Sequence, residues 1–211
     1  MTREETLKVA KPIIFNTEMV RAILNGRKTM TRRVCKDAND YTVPDMSYYN
    51  VEKRTYAIHS YADKEHTDKL SIAETTCPIC PGDILYIRET WQDDRIYTHD
   101  DTPGQYFYKA DGVVDCHKWR PSIHMPKEAA RIFLRITSVR AERLQEITAN
   151  DIRQEGLTSA CVHCGDMEIA KKEFALLWKS TIKKENLDKY GWEADPWVWV
   201  YEFERVAESE E

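Results

Sequence analysis

The chain has 211 residues, 42% of them apolar, and a formal net charge of −5. That length can bury a core in one domain, or in one domain carrying a large insertion. The acidic surplus argues against a protein that coats a nucleic-acid backbone, no run of about 18 apolar residues suits a membrane span, and the charged N-terminus lacks the apolar core of a secretory leader, so a cytoplasmic protein is expected.

Residues 12–15, Pro-Ile-Ile-Phe, read as a short buried strand. Thr17 stands where a helix N-cap belongs, and Met19, Val20, Ile23 and Leu24 form one apolar face. Gly26 fits the C-terminal stop. A turn over 26–33 follows, in which Arg27, Lys28, Thr31, Arg32 and Arg33 crowd cations around hydroxyls. Such a segment is costly to bury unpaired, so it faces solvent or a ligand. A turn that presents Lys, Thr and Arg together builds a polar pocket for an anionic or carbonyl-bearing ligand.

Residues 36–76 are polar and irregular, with one short strand expected at 55–60. Pro81, Gly82 and Asp83 form a turn that feeds a strand near 84–90. A further short strand is expected at 106–109. Residues 110–130 are irregular, because Pro121 and Pro126 forbid a regular element there. The stretch 131–144 alternates as the best strand in the chain. Thr148 and Asp151 resemble a capping box before a short helix at about 149–156 that carries Glu155. A second helix at about 168–184 sets Ala170, Phe174, Leu177, Trp178 and Thr181 on one face. The last strand, 196–206, aligns Trp197, Trp199, Tyr201 and Phe203, which read as core. Strands outnumber helices without regular alternation. This favours an α+β domain with a mostly antiparallel, curled sheet or small barrel over a doubly wound sheet.

Four of the six cysteines fall in pairs, Cys77 with Cys80 and Cys161 with Cys164. Two such pairs suit tetrahedral Zn²⁺ in a closed structural site. The long interval between them requires the fold to bring them together. Four independent reduced thiols are the alternative, and Cys116 with His117 could replace a ligand. Cys35 reads as a small buried residue. In the irregular stretch, Trp119 could stack on a base, Arg120 could hold a phosphate, and Ser122 and His124 add polar groups. The alternative is a core aromatic with surface neighbours.

The opening strand, the helix ending in Gly-Arg-Lys-Thr-x-Thr-x-Arg, the Pro-Gly-Asp turn before a strand and the final Trp-Val-x-x-Phe strand together resemble the ASCH-domain family. The segments Lys-Trp-Arg-Pro-Ser-Ile-His-Met-Pro and Asp-Pro-Trp-Val-Trp-Val are similar to its longer bacteriophage and prophage members. The resemblance implies a single PUA-like curled antiparallel β-barrel over 1–211, with flanking helices and two long insertions at about 36–76 and 92–130. The family includes small amidohydrolases of N(4)-acetylcytidine. Their motif residues match Lys28, Thr31 and Glu155, which the resemblance makes the catalytic set. Arg27, Arg33, Trp119, Arg120, Ser122 and His124 are expected to bind substrate. Other family members are credited with binding or cleaving RNA, so a non-catalytic RNA or nucleotide-binding module is the alternative. Expected partners are a modified nucleoside, a nucleotide or RNA, with no membrane. Expected metal is one structural zinc.

Chemically, Lys28 is a useful base only if its pKa falls from about 10.4 to roughly 7–8, a shift of about 4 kcal/mol. Neighbouring arginines and burial both push that way. Neutral Lys28 could then take the Thr31 proton, Thr31 could attack an amide carbonyl, and Glu155 could protonate the leaving amine. The bland alternative is a solvated basic turn or a static phosphate clamp.

Overall fold

A computed structural model describes residues 2–36, 44–50, 55–61, 69–93, 106–112, 118–157 and 166–206. The strands are β1 (Lys11–Ile14), β2 (Met30–Val34), β3 (Pro44–Asn50), β4 (Thr55–Tyr61), β5 (Lys69–Thr76), β6 (Ile84–Arg88), β7 (Trp91–Asp93), β8 (Tyr106–Tyr108), β9 (Phe133–Arg143) and β10 (Trp197–Arg205). The helices are α1 (Arg3–Val9), α2 (Thr17–Leu24), α3 (Ala149–Gln154), α4 (Met167–Thr181) and α5 (Leu187–Tyr190). The fold is therefore α+β. Its main sheet has five strands in the order β1-β6-β9-β10-β2 and is not closed. β1 runs parallel to β6, while β6–β9 and β10–β2 are antiparallel. Pro12 sits in an edge strand, where a missing N–H is tolerated.

The chain divides into two compact units. One comprises 1–29, 82–137 and 203–211; the other comprises 30–81 and 138–202. In the first, Ala10, Ile84, Tyr86, Trp91, Met125, Ala129, Ala130 and Phe133 form a buried cluster. α1 is fixed by a capping box between Thr2 and Glu5. α2 is capped by the Asn16 side chain, which accepts from the Met19 N–H at 2.9 Å. The N-cap is thus Asn16 and not Thr17, because Asn16 is the residue still in extended backbone.

In the second unit, Met30, Leu144, Ile147, Ile152, Ala170, Phe174, Trp178, Val198 and Val200 form the core. α4 buries Ala170, Phe174 and Trp178, the 4-residue repeat of an amphipathic helix. Leu177 and Thr181, expected on that face, are less buried, and Thr181 is exposed. α3 is only six residues long and is closed by a capping box in which Thr148 and Asp151 satisfy each other's backbone N–H. The segment 36–76 carries a three-stranded antiparallel sheet, β3-β4-β5, where one strand was expected. Alternation there is interrupted by polar residues, which hid two strands. The expected turn at 26–33 is also shorter, since β2 begins at Met30 and pairs with β10.

Phe174 and Leu176 lie on one helix but differ in exposure, 2% against 70%. Phe174→Ala is expected to cost about 3–5 kcal/mol in urea unfolding. Leu176→Ala should stay within about 0.5 kcal/mol. Equal losses would show that α4 does not bury the face described.

Candidate functional site

In the first unit, α2 ends at Gly26, whose φ of +70° is a left-handed value that a side chain rarely adopts. The Arg27 and Lys28 N–H groups then both donate to the Ala22 carbonyl, at 2.9 and 3.0 Å. This tight exit leaves Arg27 exposed and turns Lys28 inward to 1% exposure. The Lys28 Nζ lies 5.7 Å from the Phe15 ring centroid. A buried ammonium in aromatic company is an unusual placement for lysine.

The segment 119–124 is held differently from the expected ligand platform. Arg120 exchanges backbone hydrogen bonds with Trp91. Its guanidinium lies 5.0 Å from the Trp91 ring and 3.4 Å from the Asp93 carboxylate. Trp119 is half-buried, Ser122 opens a single 3-10 turn that ends at His124, and His124 is exposed. Near this segment, Glu89 is buried at 1% exposure and accepts from both Arg131 Nε (2.9 Å) and Nη2 (3.1 Å). Desolvation pushes the Glu89 carboxyl up, and the Arg131 hydrogen bonds act against it. Arg131 also pairs with Asp111 at 2.8 Å and lies over the Tyr108 ring at 3.9 Å.

In the second unit, β2 alternates between two faces. Thr31 and Arg33 point one way with their cross-strand partners Tyr201 and Trp199. Met30 and Arg32 point the other way, where the apolar core lies. Thr31 is 1% exposed. Its Oγ1 accepts from Arg33 Nη1 at 2.9 Å, and the same nitrogen donates to the Arg32 carbonyl at 2.9 Å. Burial pulls the half-buried Arg33 guanidinium below its ordinary value, while Glu155 and Tyr201 act the other way.

Glu155 is the C-cap of α3 and is 5% exposed. Its Oε1 lies 3.2 Å from Arg32 Nη1. Arg32, 1% exposed on its side chain, also pairs with Glu142 at 2.5 Å and Asp151 at 3.0 Å. Arg140 completes the cluster through Glu142 (2.9 Å), Asp151 (3.3 Å) and Glu202 (2.5 Å). Removing one partner from a buried pair of this kind typically costs about 3–5 kcal/mol. So Thr31, Arg33 and Glu155 lie in one neighbourhood of the second unit, with Arg32 beneath. Sequence reading gave Glu142 and Arg140 no role and counted Arg32 only among the cations around Lys28. The available signs were the alternation of β2, which sends Arg32 to the core face, and the acidic Asp151 inside the capping box.

Cys35, Cys77 and Cys80 are buried cysteines. The Cys77 thiol donates to the Ile79 carbonyl at 2.6 Å and the Cys80 thiol to the Cys77 carbonyl at 3.4 Å. Burial pushes the Tyr201 phenol far above its ordinary value, with Cys77, Cys35 and Cys80 adding to the shift and Arg33 opposing it. Cys161 and Cys164 lie outside the described residues, as do Cys116 and His117. Among the described residues no group of three or more His, Cys, Asp or Glu is arranged to hold a metal. A cavity of about 550 Å³ opens elsewhere in this unit, lined by Leu176, Lys179, Leu187, Asp188 and Trp192 among others, and involves none of the expected site residues. Among the described residues no helix is long and apolar enough to cross a membrane. Comparison with known proteins returns no matching family model, no matching curated protein and no matching solved structure.

The upward shift of Tyr201 has a signed consequence. Above about pH 10 the unfolded chain releases the phenolic proton and the folded one keeps it. The unfolded state then binds fewer protons, so stability falls as pH rises. Tyr201→Phe should leave the tyrosinate absorbance of the folded protein unchanged up to about pH 11 and should flatten the loss of stability above about pH 10. A folded-state titration near the ordinary value that vanishes in Tyr201→Phe would contradict the burial described.

Proposed function

We propose that this chain is an ASCH-type, nucleoside-directed protein of PUA-like fold that hydrolyses the amide of N(4)-acetylcytidine or a similar modified nucleoside. The observation that carries the reading is the neighbourhood of Thr31, Arg33 and Glu155: a buried hydroxyl that accepts from a guanidinium, with a buried carboxylate close enough to act on that guanidinium. Two of these are motif residues and the third is the arginine of the same motif. The near-complete burial of Lys28 supports its role as base, since burial works against the charged amine.

The reaction runs in two halves. Lys28 Nζ takes the proton of Thr31, and Oγ1 forms a bond to the acetyl carbonyl carbon. The bond from that carbon to the exocyclic nitrogen breaks, and the nitrogen takes a proton from Glu155, releasing the amine. Water then attacks the acetyl ester on Thr31 and yields its proton to the Glu155 carboxylate. The proton on Lys28 returns to Thr31 as acetate's acid form leaves. Arg33 assists by donating to Oγ1, which favours the oxygen's negative character. A reader of RNA or of a nucleotide, without turnover, is the second reading. It is favoured by Arg27, which the tight helix exit leaves exposed beside the same basic turn and which suits a phosphate.

The experiment is turnover of N(4)-acetylcytidine by the purified protein, followed as cytidine release. Lys28→Ala should abolish it. Thr31→Ser should keep part of the rate and Thr31→Val none, with losses of about 10²–10⁴-fold where an acid–base partner is removed. Binding of the nucleoside with no cytidine released would transfer the case to the reader. Neither binding nor release would remove both.

The zinc reading is proposed on the cysteine spacing, with Cys77, Cys80, Cys161 and Cys164 as ligands. Metal analysis of protein purified without added zinc should give about one equivalent, and a Cys77→Ser/Cys80→Ser variant about none. Metal-free protein of unchanged stability would end this proposal.

A further inference from the structure

We infer that Arg32 is a positioning residue that acts through Glu155. This rests on the hydrolytic reading above and adds to it a residue that no motif position supplied. Arg32 leaves β2 on the face opposite Thr31 and Arg33, so it does not share their side of the sheet. It nevertheless reaches Glu155, because Glu155 caps the C-terminal end of α3. The same guanidinium holds Asp151, in the first turn of that helix, at 3.0 Å. One cation therefore grips both ends of a helix of six residues. Alone, a helix that short has no stability in water. Its orientation, and with it the place of Glu155, is set by this grip and by the apolar contact of Ile152.

The guanidinium is itself fixed. Glu142 accepts from Nε at 3.1 Å and from Nη2 at 2.5 Å, and the Phe174 ring lies 5.9 Å from Cζ. Arg140 ties Glu142 and Asp151 from the side, and Glu202 anchors Arg140. The charged groups around Glu155 are thus Arg32 and Arg33 on β2, Asp151 on α3, Glu142 and Arg140 on β9 and Glu202 on β10. The phenol of Tyr201 lies beyond Arg33. Arg32 carries a direct ion pair to Glu155. Lysine cannot copy this arrangement, because one ammonium cannot present a planar fork to three carboxylates.

The test is a double-mutant cycle on N(4)-acetylcytidine hydrolysis. Arg32→Met is expected to lower kcat/KM by about tenfold or more in the unmodified protein and by less than about twofold in a Glu155→Gln background. Arg32→Lys, which keeps the charge and is the safer variant for folding, should fall between. The loss in Arg32→Met should fall on kcat with KM little changed, because Arg32 places the proton donor and does not itself hold the nucleoside. Full, independent losses from Arg32 and Glu155, or a loss carried by KM alone, would overturn the inference and leave Arg32 as a packing residue. Absence of turnover by the unmodified protein would instead sink the hydrolytic reading, and with it the role assigned to Arg32.

Discussion

A guanidinium whose side chain is 1% exposed constrains everything around it. Arg32 cannot be withdrawn from water without acceptors on its donors, and on the core face β2 itself provides only the weak Met30 sulfur, which accepts from Nη1 at 3.4 Å. The carboxylate acceptors come from two other elements: Glu142 on β9, and Asp151 and Glu155 at the two ends of α3. The second unit is organised to deliver them. The core under α3 and α4 fixes the distance, the Thr148 capping box fixes the helix start, and Arg140 keeps the carboxylates from repelling one another.

The alternation of a strand then separates two kinds of chemistry in consecutive residues. Arg32 is spent on architecture beneath the sheet, while Thr31 and Arg33 meet Tyr201 and Trp199 above it. Glu155 belongs to both, because it pairs with the lower arginine and influences the upper one. In the first unit the same economy appears around Arg131, which joins Glu89, Asp111 and the Tyr108 ring. Both units use an arginine as a junction of segments far apart in sequence.

Much of this arrangement was legible in the sequence, for physical reasons. The strands near 84–90, 131–143 and 197–206 and the helix near 168–184 carry strong apolar periodicity, and the structure has elements at each place. Gly26 announced the helix stop because only a left-handed turn suits the position. Strands β3 and β5 escaped notice because polar residues break their alternation, and the start of β2 was masked by its charge. Arg120 read as a ligand clamp because nothing local reveals that Trp91 and Asp93 hold it. Partners that lie far along the chain leave no periodic trace, so the role of Arg32 could emerge only with the fold.

The open sheet has a further consequence in crowded solution. A sheet with two rims can recruit strands from other molecules and nucleate aggregates. On the β1 rim, the Phe15 N–H points inward to Arg88, so alternation turns the nitrogen of residue 12 outward. Proline at that position has no hydrogen to offer a foreign strand. Replacing it would leave the monomer's own ladder intact while restoring a donor to the rim, so the residue guards against intermolecular pairing more than it serves the fold.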